Sequence, residues 1–456
     1  MVSLTRKLYL AAGIFAALSS PSQATDIPHK HKQQQQDDVL REGTPESVGM
    51  LSKPLRDMVG NLTHFTEARN WGSKTSNQVV PIEPGGVTLV AHKGVIVSHF
   101  AFGKRNLWSS VSGSSGTKLP PSLQENASLD TIYDLASLTK LFTSVAALRC
   151  IDQGLITLNG TVASYVPEFA SNGKEDVTVL HLLTHTSGLA ADPAIGLWTT
   201  DTYPTYESRV ASILNETLLN SPPGSAYLYS DLNLMTAMLV IERVTNKRLD
   251  DVIGEYTSLL GMRDTFYNRG NIEGPSSSFR FYNRTATQEF QAAVLGADIE
   301  PVRPQPVRGT VHDENAWGLD GVSGHAGLFS TARDVAAFAQ MILNNGTYGG
   351  VRVLSASAVD LIFTNFNARF GPAAAHGVGF ELNQYYTAGP MANPLAASHT
   401  GFTGTSLVID RASDTLFIHF SNRAHPSRRW SSNNIVRETV GAWVAKALGR
   451  DVVFPQ

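Results

Sequence analysis

The chain reads as strand near both ends and as helix between them, and that order is what most limits the fold it can adopt. Near the start, Val87-Thr88-Leu89-Val90-Ala91-His92 and Val95-Ile96-Val97-Ser98 are rich in β-branched residues and meet at Lys93-Gly94, the pattern of a hairpin. Residues 405–409 and 415–420 repeat that pattern near the end, with 410–414 as the turn. Two hairpins roughly 300 residues apart share one sheet only if the two ends of the chain come together and the middle is an insertion.

That middle is helical. Leu138, Leu141, Phe142, Val145, Ala146, Leu148 and Ile151 recur at spacings of three and four, which predicts a buried helix over 135–153 stopped by Gly154. Similar patterns cover 180–183, 206–219, 232–244 and 249–260, and later 332–343 and 434–448. The expected fold class is α/β (α+β): an antiparallel sheet from both chain ends, flanked by helices, with a mostly helical inserted subdomain over about 141–308 and a cleft between the parts. Residues 106–128, rich in Ser, Gly and Pro, are expected to be a surface loop.

The N-terminus has the form of a signal peptide over 1–24: Arg6 and Lys7, an apolar run from 8 to 18, then Ser22-Gln23-Ala24. That run is well short of the roughly 20 residues that span a bilayer, so secretion is expected. Residues 25–50, with four glutamines among His and Lys residues, read as a flexible polar leader to a single catalytic domain over 51–450. Sequons at Asn61, Asn126, Asn159, Asn215, Asn283 and Asn345 suit a glycosylated secretory protein. The only cysteine is Cys150, in an apolar helical stretch, so the core must supply the stability without an intramolecular disulfide. A net charge of −3, with both signs scattered, points away from nucleic acid and from an anionic membrane surface.

Chemistry enters with Ser137-Leu138-Thr139-Lys140, a hydroxyl and an amine one helical turn apart at the start of a helix. A serine hydroxyl attacks only when a neighbour takes its proton, and helix N-terminal N–H groups favour the anion that follows. S-x-x-K also occurs at Ser115 to Lys118 and Ser171 to Lys174, where no helix is expected to hold the pair in register. His181 and His185 have zinc-type spacing, but the Glu of H-E-x-x-H and a further ligand cluster are missing, so neither a metal nor a cofactor is expected.

Two further motifs follow in order, Tyr229-Ser230-Asp231 and His399-Thr400-Gly401. With Leu182-Leu183-Thr184-His185-Thr186-Ser187-Gly188-Leu189, Gly324-His325-Ala326-Gly327 and Asn422-Arg423-Ala424-His425-Pro426, the chain resembles the serine β-lactamase and penicillin-binding protein superfamily over most of 85–450. Within it, the class C β-lactamase-like branch is the best match, nearer its low-molecular-weight penicillin-binding proteins and esterases than its drug-hydrolysing enzymes. The resemblance implies a β-lactamase/transpeptidase-like fold, Ser137 as the acylated nucleophile, Lys140 as its base and Tyr229 as proton shuttle. It also implies an oxyanion hole from the N–H groups of Ser137 and Phe402, with Asp231, His399, Thr400, Gly401 and Phe402 binding substrate.

Two positions depart from the pattern. Asp231 replaces the more usual Asn, so a donor amide becomes a carboxylate that is placed to hold Lys140. His399 replaces Lys and is expected to be only partly cationic, which weakens recognition of a substrate carboxylate and favours esters. The resemblance leaves open an esterase, a D-aminoacyl carboxypeptidase or a β-lactamase-like enzyme acting on a small-molecule or peptide-like acyl substrate. An acyltransferase using the same acyl-serine, and a non-catalytic binding protein on the same fold, stand beside it.

Overall fold

In strands Gly85–His92 and Thr415–Ser421 the side chains alternate between two cores, and this alternation sets the layers of the molecule. Val87, Leu89, Leu416, Ile418 and Phe420 enter one apolar cluster, while Val90 and Phe417 enter another on the opposite face. The computed structural model describes residues 38–72, 78–269, 281–296 and 304–455. The expected signal peptide and the first part of the leader lie outside them.

The main sheet comprises β1 (Arg41–Glu42), β2 (Gly85–His92), β3 (Val95–Asn106), β4 (Glu381–Leu382), β5 (Ala396–Thr400), β6 (Ser406–Asp410) and β7 (Thr415–Ser421), in the order β1-β3-β2-β7-β6-β5-β4, with Glu125–Asn126 pairing beside β3. The two ends of the chain meet where β7 pairs antiparallel with β2, Thr415 opposite His92 and Ser421 opposite Gly86. The β2–β3 turn needs positive φ at both central residues, and Lys93 (50°) and Gly94 (72°) supply it.

Helices α1 (Ser52–His64) and α5 (Asn434–Ala447) cover one face of this sheet. On the other face α4 (Ala332–Leu343) packs against β2 and β7, and its Phe338 stacks at 4.1 Å on Phe142 of α2 (Thr139–Asp152). Helix α2 in turn packs against α3 (Asp231–Thr245), so one continuous apolar cluster runs from the sheet into the helical region. Cys150 on α2 is buried, and burial pushes its thiol up to about 11.

Two expectations need correction, and one strand was not expected at all. Residues 38–50 are not a loose leader: Arg41 and Glu42 extend the sheet in parallel with Val95 and Ile96, and Leu40 and Met50 are buried, so the sheet is mixed and not purely antiparallel. Residues 106–128 are not a plain loop, because Trp108–Ser112 and Ser115–Lys118 form a hairpin anchored where Trp108 meets Trp430 edge-on at 5.1 Å. A strand at Ala396–Thr400, whose alanines and serine carry little β signal, brings His399 and Thr400 to its end.

Candidate active site

Ser137 lies in a single 3-10 turn (Ala136–Leu138) that leads into α2. The approach is strained: Ala136 has φ of 46°, a left-handed conformation costly for a residue with a Cβ. The surroundings hold it there, since Ala136 N–H donates to Asp134 Oδ1 at 2.8 Å and Asp134 Oδ2 accepts from His312 N–H at 2.6 Å. The turn after β5 is stapled to the same segment through Thr403 Oγ1 to Asp134 O (2.7 Å) and Thr405 Oγ1 to Leu135 O (2.9 Å). Only glycine fits at 401, where a Cβ would lie 2.4 Å from Leu135 O and 2.0 Å from Thr405 Oγ1. The motif glycine thus lets the end of β5 touch the segment that carries the serine.

Lys140 is buried; its ammonium donates to Ser137 Oγ at 2.9 Å and to His325 O at 3.1 Å, and it forms an ion pair with Asp231 Oδ1 at 2.7 Å. Asp231 opens α3 and reaches across to α2, which is the arrangement that its replacement of Asn suggests. The nearest charge to Lys140 is therefore an anion.

The Tyr229 hydroxyl lies beside Ser137, and Lys140 Nζ sits 4.9 Å from its ring centroid. A shuttle that titrates readily would need its phenol lowered, but burial, and then the Asp231 charge, push it well above 10. It is a neutral hydroxyl. The His185 ring lies against it at 4.7 Å and accepts from Ser230 N–H at 3.1 Å on Nδ1.

His399 also differs from expectation. Burial, with Lys140 nearby, pushes it down to about 3, so it is neutral and not partly cationic at physiological pH. Its Nδ1–H donates to Thr400 O at 2.8 Å, while Nε2 is buried with no hydrogen-bond partner among the described residues. Phe402 projects into solvent at 47% exposure with its N–H unpaired among the described residues. Its ring is braced by Arg423 at 4.3 Å and by His312, stacked at 5.7 Å.

Behind these side chains, His325 of the Gly324–Gly327 motif meets Asp313, which no motif marked. His325 Nε2 pairs with Asp313 Oδ1 at 2.9 Å. Burial opposes the charge on His325, yet Asp313 and Asp231 together raise it, and the imidazolium in return holds the Asp313 carboxyl low. Asp231, Asp313 and His325 bring ligand atoms within 4.8 Å of one another, the one set among the described residues with metal-binding proximity; Asp231 pairs with Lys140, Asp313 with His325, and Ala316 N–H and Ser323 Oγ hold the latter two. His181 and His185 do not converge: Nδ1 of His181 accepts from Thr178 N–H and that of His185 from Ser230 N–H.

The other S-x-x-K pairs fall elsewhere. Ser115 and Lys118 lie on a hairpin strand, and Lys174 donates to the carbonyls of Leu214 and Thr217, not to Ser171. Of the sequon asparagines, Asn126, Asn159, Asn215, Asn283 and Asn345 are exposed, while Asn61 is half-buried and accepts from Trp443 Nε1 at 2.9 Å.

A family model described as Beta-lactamase matches residues 81–441. A protein of Escherichia coli K12 described as "Putative D-alanyl-D-alanine carboxypeptidase" is 31% identical over 408 residues, 85% of this chain and 86% of the relative. The fold is similar to that of a family VIII carboxylesterase, with a TM-score of 0.60 at 22% identity over 86% of this chain and 96% of the other. It is also similar to that of a hydrolase with promiscuous acyltransferase activity, with a TM-score of 0.59 at 19% identity over 87% and 98%.

Proposed function

Because the chain belongs to the beta-lactamase family, and so to the serine β-lactamase and penicillin-binding protein superfamily, we propose that it is a secreted hydrolase that opens esters through an acyl-enzyme on Ser137. The observation that carries this reading is the placement of Ser137 Oγ 2.9 Å from Lys140 Nζ, with the Tyr229 hydroxyl beside it.

The charge states suggest how protons move. Ser137 Oγ bonds to the acyl carbon and its proton enters the Lys140–Asp231 pair, Lys140 passing one of its own to Asp231. Tyr229, held neutral, donates to the departing alkoxide as the acyl–oxygen bond breaks, and the ion pair restores it. The net change is one proton from Ser137 to the alcohol. Water then attacks the acyl-enzyme by the reverse route.

Esters rank above lactams and peptides on the chemistry of His399. A neutral imidazole lacks the full charge with which a lysine would hold a substrate carboxylate, and Asp231 offers no amide donor to a side-chain carbonyl. The E. coli relative's description points instead to D-alanyl peptides, so both classes belong in one assay. Short aryl esters should be cleaved at least about tenfold faster than a nitrocefin-like lactam or a D-Ala-D-Ala peptide. A preference for either of the latter would overturn the ester reading. A fluorophosphonate should add once to the folded protein and not to Ser137→Ala; an adduct that persists in the variant would remove Ser137 as nucleophile. Secretion is tested by N-terminal sequencing of the protein recovered from the medium of expressing cells, which should begin at Thr25.

A further inference from the structure

Arg437, in the first turn of α5, sits where a cation is disfavoured three times over. It is 6% exposed, it has no carboxylate within ion-pair distance among the described residues, and it lies at the positive end of a helix. Burial, and then the neighbouring Arg423, push its guanidinium down to about 9. Its Nε is buried with no hydrogen-bond partner among the described residues. A group kept at such cost has its reason in the hydrogen bonds it does make.

One of those bonds reaches a peptide group beside the nucleophile. Arg437 Nη2 donates to Gly401 O at 2.8 Å and to Thr405 O at 3.2 Å, and Nη1 donates to Asn434 Oδ1 at 2.7 Å. Gly401 O belongs to the same amide as Phe402 N–H. Gly404 N–H also donates to that oxygen at 3.0 Å, so the carbonyl end is doubly held while the N–H end is left unpaired among the described residues. The amide lies beside the nucleophile, since Gly401 packs directly on Leu135 O, two residues before Ser137.

Resonance couples the two ends of an amide. A charged donor on the oxygen draws electron density through the C–N bond, makes the N–H a stronger donor and fixes the plane in which it points. We propose that Arg437 is the positioning residue of the oxyanion hole: its guanidinium orients and polarises the Gly401–Phe402 peptide, so that Phe402 N–H meets the negative charge that develops on the acyl oxygen. With no carboxylate at ion-pair distance among the described residues, and Glu83 and Glu381 acting only from farther off, the buried charge extends its field toward the reacting atoms. A purely structural role is already filled: Thr403, Thr405, Asn433 and Arg423 each anchor the same turn through other atoms.

The inference rests on Ser137 as nucleophile, and the test separates the two. Arg437→Met and Arg437→Gln are compared with the wild type in kcat and KM on an aryl ester, in stoichiometric phosphonate labelling, and in affinity for a boronic acid that forms a tetrahedral adduct. Arg437→Met should lose about 10- to 100-fold in kcat with KM within about threefold, and Arg437→Gln, which keeps a neutral donor, should lose less. Boronate affinity should fall in parallel with kcat/KM. In Arg437→Ala, added guanidinium should restore part of kcat through the cavity of about 190 Å³ lined by Gly401, Phe402, Arg423 and Arg437, and sodium chloride at equal ionic strength should not. Should the Met and Ala variants fail to fold, Arg437→Gln decides. An unchanged kcat in a folded, labelled variant, or a loss confined to KM, overturns the inference alone; no adduct on wild-type Ser137 overturns the reading beneath it as well.

Discussion

Ser137 to Lys140 and Ser171 to Lys174 are the same motif, and both lysines are buried to within 1% exposure, yet the two pairs are chemically unlike. Lys140 has a hydroxyl and a carboxylate within 2.9 Å, brought by the start of α2 and the start of α3. Lys174 has the carbonyls of Leu214 (2.7 Å) and Thr217 (2.9 Å) and the Phe169 ring at 4.7 Å, and Ser171 turns away to the carbonyl of Asn215 at 3.3 Å. A helix puts residues three apart on one face, whereas the bend around Asn172 and Gly173, both with positive φ, does not. One lysine is wired to a nucleophile and a proton acceptor; the other ties down a loop.

The largest way to break this comparison is at the serines. Ser137→Ala should lower kcat/KM on an aryl ester by about 10⁴-fold or more, while Ser171→Ala should leave it within about twofold. Comparable losses in steady-state rates would dissolve the distinction.

A smaller effect isolates the carboxylate. Asp231→Asn leaves Lys140 an oxygen acceptor but removes the anion, so its surroundings come to resemble those of Lys174. If the pair together receives the Ser137 proton, kcat should fall by about 10- to 100-fold with little change in KM. An unchanged or raised kcat, measured on the folded variant, would mean that Lys140 takes the proton alone.

The same contrast marks what can be read from a sequence. Strands β6 and β7 and helices α2 to α5 show in the pattern because Leu416, Ile418 and Phe420, or Leu138, Leu141 and Val145, carry the period of the element in adjacent residues. Strand β5 and the Trp108 hairpin do not, because Ala396, Ala397 and Ser398 and a Ser/Gly run have no such period, and what holds them comes from β6 and from Trp430. At the site, motif order was enough to bring Ser137, Lys140, Tyr229, Asp231 and His399 together. Their charge states were hidden, since the neutrality of Tyr229 and His399 follows from burial by distant segments. Arg437 and the Asp313–His325 pair act through backbone carbonyls or through each other, and no local spacing announces that.

The finest test reads Lys174 through stability and not through rate. Burial pushes its amine down to about 8 from an ordinary 10.5, so between those values the unfolded chain binds the proton that the folded one has released. The linkage sign follows: unfolding takes up a proton in that window, and stability gained from this residue rises with pH from 8 to 10.5, then levels off. Below pH 8 both states are protonated and the burial cost is present in full. In chemical denaturation at stepped pH, the wild type should therefore gain on Lys174→Met by on the order of 2 kcal/mol across that window, with other titrating groups cancelling in the difference. Esterase activity of Lys174→Met should stay within about twofold at pH 7, as the loop it ties lies off the reacting atoms. A flat difference would mean that the carbonyls of Leu214 and Thr217 compensate the buried charge entirely, and a large loss of rate would place the second lysine in the chemistry after all.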